Sequence, residues 1–328
     1  MKILLHAPRL NISIFNIARW LRYYYKLNFV YNDCDSISDL SIRINNLSSN
    51  IDLKYKNIEY FDNANKLLFN HQGTYSFSED FTKYFIDKQY NKILDTELNA
   101  LLRFIYFFES KKSILSDYPG SDNLRKLVDL EMAKRVGLPI PSTIVSSNKK
   151  ELLLFLKSHE SITKVISNTF HFVNGEEISG YQGTKVIKAK DISKLEKITF
   201  PILLQELLSK EFEIRVLFLN GIFYTMAILD PIKHIDVRTN FTLDKPRWRL
   251  IPFKLPGVIL KKVKLLFSKL KLKAGSIDMI YTTNNQYYFI ELNPCGQFDW
   301  LSYPCNYQVE KFIADTIFIN YEKATKEN

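Results

Sequence analysis

The most informative part of the sequence is FIELNPCGQFDW, residues Phe289 to Trp300. An apolar run ends here in an acid, an amide, a proline and a glycine before apolar residues return. Glu291 and Asn293 are two residues apart, so in a strand their side chains point to the same face. The spacing predicts two hard oxygen donors at the end of a β-strand.

The residues before this stretch predict a β-hairpin. Two β-rich runs, Ile277 to Thr283 and Gln286 to Leu292, flank Asn284-Asn285, a pair that tolerates the backbone of a two-residue turn. Counting back along both strands places Asp278 directly opposite Glu291.

Two facing carboxylates need an explanation. Like charges directly opposite each other destabilise a sheet unless a cation lies between them. Carboxylate and amide oxygens are the ligands that Mg²⁺ prefers. We therefore predict that Asp278, Glu291 and Asn293 hold Mg²⁺. The alternative is a solvated hairpin face whose acids occur there by chance.

Composition limits the classes of protein. The 328 residues are 46% hydrophobic, so the chain can bury a sizeable core in two or three lobes. The net charge of +10 could serve an acidic peptide, a nucleic acid or a membrane, or reflect compositional bias. The sequence shows no nucleic-acid-binding motif and no apolar run long enough to span a bilayer. The three cysteines lack disulfide or zinc spacing, so we expect a cytoplasmic protein without either.

Periodicity indicates several elements along the chain. A helix with Leu124, Val128, Met132 and Val136 on one face is expected, and so is a strand from Thr163 to Ser167. Asn220-Gly221 predicts a tight hairpin. The helix that begins near Val258 has an apolar face surrounded by lysines. It could lie on anionic lipid, but packing on a sheet is the preferred interpretation.

Several motifs are suited to binding a nucleotide. Glu213 and Arg215 share a strand face, from which they could contact sugar hydroxyls and phosphate oxygens, or simply form a structural ion pair. The segment Gln205-Glu206-Leu207-Leu208 could read an adenine edge through backbone atoms. Lys126 and Lys164 could neutralise phosphates. No Gly-x-x-x-x-Gly-Lys-[Ser/Thr] motif is present, which excludes a P-loop enzyme.

Taken in order, these motifs resemble the ATP-grasp superfamily, in which two α/β lobes hold ATP between them. The resemblance runs from about Asp122 to the C-terminus and includes the segment Asp236 to Asn240. The stretches GSIDMIYT, ELNPCGQFDWLS and CNYQVEKFIADTI look most like the peptide-modifying branch, the graspetide synthetases related to microviridin ligases, and in particular the grasp-with-spasm peptide maturases.

The resemblance implies an α/β (α+β) fold of three parts. These are an N-terminal pre-ATP-grasp domain (1–116), a central subdomain (117–200) and a C-terminal subdomain with the Mg²⁺ and ATP site (201–328). It implies a ligase that phosphorylates Asp or Glu side chains of a ribosomal precursor peptide. A Ser or Thr hydroxyl or a Lys amine captures the acyl phosphate, which closes a macrocycle. The expected partner is a peptide whose core is rich in Thr or Ser and in Asp or Glu, with a homodimer as a possible assembly.

The resemblance also implies a role for each site residue. Arg215, Arg238 and Asn240 would stabilise the transferred phosphate, while Asp236 could orient Arg238, touch the substrate or accept a proton. The remaining ATP contacts would come from Lys126, Lys164, Gln205, Glu206, Leu208 and Glu213.

Two other functions fit the same ATP-binding residues. One is an ATP-grasp ligase that adds amino acids to a protein tail or to a small molecule. The other is a non-catalytic module that binds nucleotide or peptide. The NPCGQFDW ending favours the peptide branch, and the joint presence of metal ligands and arginines argues against a non-catalytic protein.

Overall fold

The computed structural model describes residues 1–8, 11–46, 49–56, 66–81, 88–110, 113–115, 126–166, 171–174, 177–181, 184–231 and 248–326. The predicted domain boundary at 116/117, Leu124 and the segment from Asp236 to Asn240 lie outside these residues. In the ranges that are described, no helix is both long and apolar enough to cross a membrane.

Contacts between residues divide the chain into two compact units. Unit 1 comprises Met1–Ser121 and Pro294–Asn328, and unit 2 comprises Asp122–Asn293. The expected three-part division stays a prediction. The grouping differs from it in two respects: 294–328 belongs with the N-terminal region, and 122–293 forms one unit that joins most of the expected central subdomain to the rest of the C-terminal one.

Unit 1 contains a parallel three-stranded sheet in the order β2-β1-β5 and an antiparallel pair, β3-β4. Its strands are β1 (Lys2–His6), β2 (Val30–Asn32), β3 (Ile37–Ile44), β4 (Ser49–Tyr55) and β5 (Lys66–Asn70). Its helices are α1 (Ile12–Arg19), which continues as a π-helical turn (Trp20–Tyr24), a 3-10 turn (Glu79–Phe81), α2 (Lys88–Ser110), α7 (Asp299–Cys305) and α8 (Val309–Lys326).

A buried ion pair lies in unit 1. Lys66 begins β5, and its Nζ is 2.7 Å from Oε2 of Glu109 near the end of α2. The side chains are 0% and 3% exposed, so both charges are removed from water. Each charge is therefore tolerated because the other is present.

Two histidines of unit 1 are buried as well. Burial lowers the pKa of His71 to about 4, and its ring lies 4.8 Å from that of Phe298. Burial also lowers the pKa of His6 to about 4; the carbonyl of Thr74 partly opposes this shift, and the charge of Lys66 adds to it. Both rings are therefore neutral in the folded protein at neutral pH.

We expect the free energy of unfolding to fall as the pH drops from 6.5 towards about 4. The unfolded chain takes up a proton at each histidine below 6.5, whereas the folded chain resists it, so stability present above this range is lost within it. Each histidine contributes at most about 1.4 kcal/mol per pH unit. Urea unfolding of wild type and His71→Phe at several pH values checks this. An identical pH dependence in the two proteins would contradict it.

Unit 2 is built on two antiparallel sheets, β10-β7-β11-β6 and β14-β13-β12-β15-β16, and on the separate pair β8-β9. Its first strands are β6 (Thr143–Asn148), β7 (Ser161–Thr163), β8 (His171–Asn174), β9 (Glu177–Tyr181), β10 (Lys185–Ile187) and β11 (Ile198–Glu206). The larger sheet has β12 (Lys210–Leu219), β13 (Ile222–Leu229), β14 (Arg249–Pro252), β15 (Ala274–Thr282) and β16 (Tyr287–Asn293). The helices are α3 (Lys126–Arg135), α4 (Lys149–Ser158), α5 (Ala189–Ser193) and α6 (Gly257–Lys269).

One face of the five-stranded sheet carries the core of unit 2. Val263, Leu266 and Phe267 of α6 are fully buried there against strand residues that include Ile214 and Ile277. The lysine-rich helix therefore packs on a sheet, as the preferred interpretation predicted. The opposite face, called the polar face below, carries Arg215, Asp278 and Glu291, with Met226 buried beside Arg215.

The predicted face of α3 is confirmed in part, since Met132 and Val136 pack against the core. Its buried residues are Asp129, Leu130 and Ala133, whereas Val128 is 54% exposed. In this short helix, packing against β16 and α6 decides the buried side more strongly than a four-residue repeat of apolar residues does.

The hairpin predicted at Asn220-Gly221 is confirmed. Leu219 pairs with Ile222, and Asn220 and Gly221 both have positive φ, at 45° and 95°. This is the backbone that a tight turn with the twist of the flanking strands requires.

We expect Gly221→Ala to lower the free energy of unfolding by about 1–2 kcal/mol, because a Cβ is disfavoured at positive φ. Nothing lies within 4 Å of the added atom, so strain in the backbone is the only cost. Gly257→Ala is the matched control: its Cβ also enters open space, but at the start of α6. Chemical denaturation should separate the two variants, and equal stabilities would contradict the argument.

Candidate active site

The polar face of the five-stranded sheet brings three charged residues together. Asp278 in the central part of β15 pairs with Arg215 of β12 on one side and with Glu291 of β16 on the other. Residues that are partners across a sheet point to the same face. The predicted juxtaposition of Asp278 and Glu291 is therefore confirmed.

The loop length and the strand register that produce this pairing differ from the prediction. The turn is a three-residue loop and not a two-residue loop, since the amide of Thr282 donates to the carbonyl of Gln286 and Asn285 has a φ of 61°. That loop shifts the pairing of Met279 to Phe289. A bulge at Ile290 then shifts it back by one residue, which restores the partnership of Asp278 with Glu291.

The bulge at Ile290 lets β16 place Phe289 and Leu292 in the core while Glu291 points to the opposite face. Phe289 is fully buried and belongs to the hydrophobic core together with Met279. In a regular strand Glu291, two residues later, would share that face. The extra residue Ile290 turns Glu291 to the polar face instead, while Leu292 returns to the core.

The same polar face supplies donors for a metal. Asn293 lies two residues beyond Glu291 and opposite Ser276, whose buried hydroxyl has no hydrogen-bond partner. Within the described part of the chain, no cluster of three His, Cys, Asp or Glu side chains could hold a metal. The candidate set is thus two carboxylates and one amide. This set fits Mg²⁺, which usually completes its shell with water and phosphate oxygens.

Arg215 is held at the edge of this donor set. Its Nη1 donates to Oδ1 of Asp278 at 2.6 Å, and its side chain is 8% exposed. The guanidinium is therefore fixed beside the carboxylates with its charge directed at the polar face. The ion pair allows both interpretations made from the sequence, a structural pair and a phosphate-binding arginine.

The predicted adenine-binding segment closes β11. The amide of Glu206 donates to the carbonyl of Ser142, and its carboxylate accepts from the amide of Ser142. The amide of Leu207 donates to the carbonyl of Glu160. These two amide donors are therefore used within the fold, and the contact of this segment with adenine stays a prediction.

Gln205 is buried in the same segment, and its amide donates to the hydroxyl of Thr143. This contact lies inside the sheet, so Gln205 is placed to fix the end of β11. Its assignment to the nucleotide site stays a prediction.

The side chain of Lys126 reaches the backbone next to Lys164, the other candidate phosphate-binding lysine. Lys126 donates through Nζ to the carbonyl of Val165 at 2.9 Å, one residue beyond Lys164. The predicted strand from Thr163 to Ser167 is wrong, because β7 ends at Thr163 and Lys164 follows it. Lys164 is thus at the exit of a strand and not inside it.

Sequence reasoning missed Lys210. Its Nζ forms a 2.5 Å ion pair with Oε1 of Glu213. A three-residue spacing places two side chains on opposite faces of a regular strand, so period two gave no signal for this contact.

No protein-family model matches the sequence, and no curated protein is similar to it. Solved structures are similar. The macrocyclase MdnC of Microcystis aeruginosa, bound with the precursor peptide MdnA, is 21% identical with a TM-score of 0.73, over 98% of this chain and 100% of that one.

Two further structures show the same likeness. A RiPP-associated ATP-grasp ligase of Chryseobacterium gregarium, in complex with ADP and a leader and core peptide, is 19% identical, with a TM-score of 0.74 over 97% of this chain and 96% of that one. The ATP-grasp ligase PsnB, complexed with a precursor variant, Mg and ADP, is 15% identical, with a TM-score of 0.68 over 98% of each chain. The protein therefore has the ATP-grasp fold, and the predicted fold class is confirmed.

Proposed function

We propose that the protein is an ATP-dependent ligase that cyclises a ribosomally made precursor peptide. The observation that carries the proposal is the polar sheet face on which Asp278, Glu291, Asn293 and Arg215 meet in an ATP-grasp fold. The similar structures include a macrocyclase with its precursor peptide and two ATP-grasp ligases with ADP and peptide. Their likeness extends over nearly the whole chain, which supports the peptide branch over other ATP-grasp ligases.

The reaction has two steps. In the first, a carboxylate oxygen of an Asp or Glu side chain of the peptide bonds to the terminal phosphorus of ATP, and the bond to ADP breaks. In the second, a Ser or Thr hydroxyl or a Lys amine bonds to the acyl carbon, phosphate leaves, and the nucleophile loses its proton. The peptide loses one water for each ring.

Residues of this chain would bind and orient the reactants. Asp278, Glu291 and Asn293 would hold Mg²⁺, which neutralises phosphate charge when bound. Arg215, fixed by Asp278, would stabilise the negative charge of the phosphoryl group during transfer. We assign Arg238 and Asn240 to the same phosphate and leave the role of Asp236 open among substrate contact, orientation of Arg238 and proton acceptance.

The other nucleotide contacts complete the proposal. Lys126 and Lys164 would bind phosphates, the backbone at Glu206 and Leu208 the adenine, and Glu213 the ribose. Because the acyl phosphate is already activated, the second step needs positioning more than a nucleophile of the protein.

The partner is proposed to be a precursor whose core is rich in Thr or Ser and in Asp or Glu. A net charge of +10 attracts an acidic peptide by long-range electrostatics. Cys34, Cys295 and Cys305 are all free thiols, which fits the reducing cytoplasm that we propose as the compartment. We propose no role in nucleic-acid or membrane binding. A homodimer is included as the assembly to be tested by light scattering.

Intact mass of a Thr- and Glu-rich precursor peptide, encoded beside this protein, tests the function. The peptide is incubated with the protein, ATP and Mg²⁺, and parallel samples lack ATP. Loss of one or more waters that depends on ATP is the expected result. A gain in amino-acid steps would identify a tail-adding ligase, and nucleotide binding without any turnover would identify a binding module.

A further inference from the structure

A second bulge lies in β12, at Glu211. Lys210 pairs with Thr282, and the next paired residue is Phe212, opposite Tyr281. Glu211 is therefore an extra residue between them. Phe212 packs on the core, and Glu213 follows on the polar face opposite Ile280.

The bulge changes the side to which Lys210 points. Three residues before Glu213, Lys210 would face the core in a regular strand. With the extra residue, Lys210 shares the polar face with Glu213, and the ammonium lies 2.5 Å from Oε1 of the carboxylate. The Lys210 side chain is only 8% exposed, so the charge is held in place and not freely solvated.

The position of Lys210 along the chain is also informative. It lies between Leu208, to which we assign adenine, and Glu213, to which we assign the ribose. A carboxylate has two oxygens, each of which accepts hydrogen bonds. With Lys210 on Oε1, the rotamer of Glu213 is restrained, and a carboxylate with about four acceptor sites can bind Lys210 and still accept from ribose hydroxyls.

We propose that Lys210 is a positioning residue for the nucleotide, which holds Glu213 in the orientation that distinguishes ribose from deoxyribose. The inference rests on the proposed function, since it requires ATP at this face. The proposed role places Lys210 beside the ribose-binding carboxylate and not at the reacting phosphate, so its effect should fall on nucleotide binding and on sugar selectivity.

Isothermal titration of the full-length protein with ATP, 2′-deoxyATP and 3′-deoxyATP, each with Mg²⁺, tests the inference. We expect wild type to prefer ATP over at least one deoxy analogue by about tenfold, the value of one charge-assisted hydrogen bond. Lys210→Met should weaken ATP binding and bring this ratio close to one, and Glu213→Gln should do the same. The double variant should show no further loss of selectivity, because the two residues act as a pair.

Two further variants keep the test decisive. Lys210→Arg retains the cation and should keep most of the preference for ATP. Lys210→Gln replaces Lys210→Met if the latter does not fold, under the same criteria. A purely structural ion pair would weaken all three nucleotides equally.

The possible failures are distinguishable. If wild type binds ATP and selects ribose, but the Lys210 variants keep the wild-type ratio, the inference is wrong and the proposed function stands. If wild type binds ATP without selecting ribose, the assignment of Glu213 and with it the inference are wrong. If wild type binds no nucleotide, both the inference and the proposed function are overturned.

Discussion

Glu291→Gln is expected to reduce ATP-dependent ligation by about 100- to 1,000-fold, the effect typical of removing one group that stabilises transition-state charge. The amide keeps the shape of the side chain but not its charge. The bulge at Ile290 and the burial of Phe289 and Leu292 stay intact, so the fold should be unchanged. Release of ADP in the presence of precursor peptide measures the loss, and circular dichroism checks the fold.

The controls separate loss of the proposed metal site from a general effect of charge. Glu196 is an exposed glutamate of the same unit, and Glu196→Gln should retain wild-type turnover. Asp278→Asn should lose activity as Glu291→Gln does, and it also deprives Arg215 of its ionic partner. Full turnover in Glu291→Gln would remove this residue from the metal site.

Glu109→Gln is expected to lower the free energy of unfolding by about 3–5 kcal/mol, the usual effect of breaking a buried ion pair from one side. The ammonium of Lys66 would remain fully buried without its countercharge. This loss is a large fraction of the stability of an ordinary domain. Thermal and urea unfolding at neutral pH measure it.

An exposed pair at the same distance is the matched control. Lys54 and Asp39 are also 2.7 Å apart, but their side chains are 72% and 57% exposed. Asp39→Asn should therefore change stability little, because water solvates the remaining lysine. A second variant, with Lys66→Met and Glu109→Leu together, should recover much of the loss. Equal stabilities of Glu109→Gln and Asp39→Asn would refute the role of burial.

The sequence was most informative where local chemistry is strong. Asn220-Gly221 predicted a turn that needs positive φ at two residues, and few other pairs satisfy that requirement. The apolar face of α6 likewise favoured packing on a sheet over an anionic lipid surface, and its buried residues Val263, Leu266 and Phe267 confirm that preference.

The pairing of Asp278 with Glu291 was predicted correctly from premises that the structure contradicts. The prediction assumed a two-residue loop and regular strands, and both assumptions were wrong. A longer loop and a bulge shift the register by one residue in opposite directions, so the expected partners still meet. Bulges are set by packing between strands, and alternation along one strand does not reveal them.

The misses have a common physical cause. Lys210 was overlooked because its contact with Glu213 depends on the bulge at Glu211. Val128 was wrongly expected on the buried face of α3 because neighbouring elements, and not the helix alone, decide what it buries. In each case a neighbouring element decides the outcome: pairing with β15 creates the bulge in β12, and packing on β16 and α6 orients α3.

The bulges at Glu211 and Ile290 also determine where β12 and β16 can lose a residue without exchanging their faces. Removing Glu211 or Ile290 would leave every other side chain of β12 or β16 on its present face, since each is the one residue without a partner in β15. A deletion of one residue anywhere else in the paired parts of these strands would exchange core and polar faces on one side of the gap. Alignments of distant relatives should therefore place single-residue gaps at these two positions, and length variation there should coexist with an intact site.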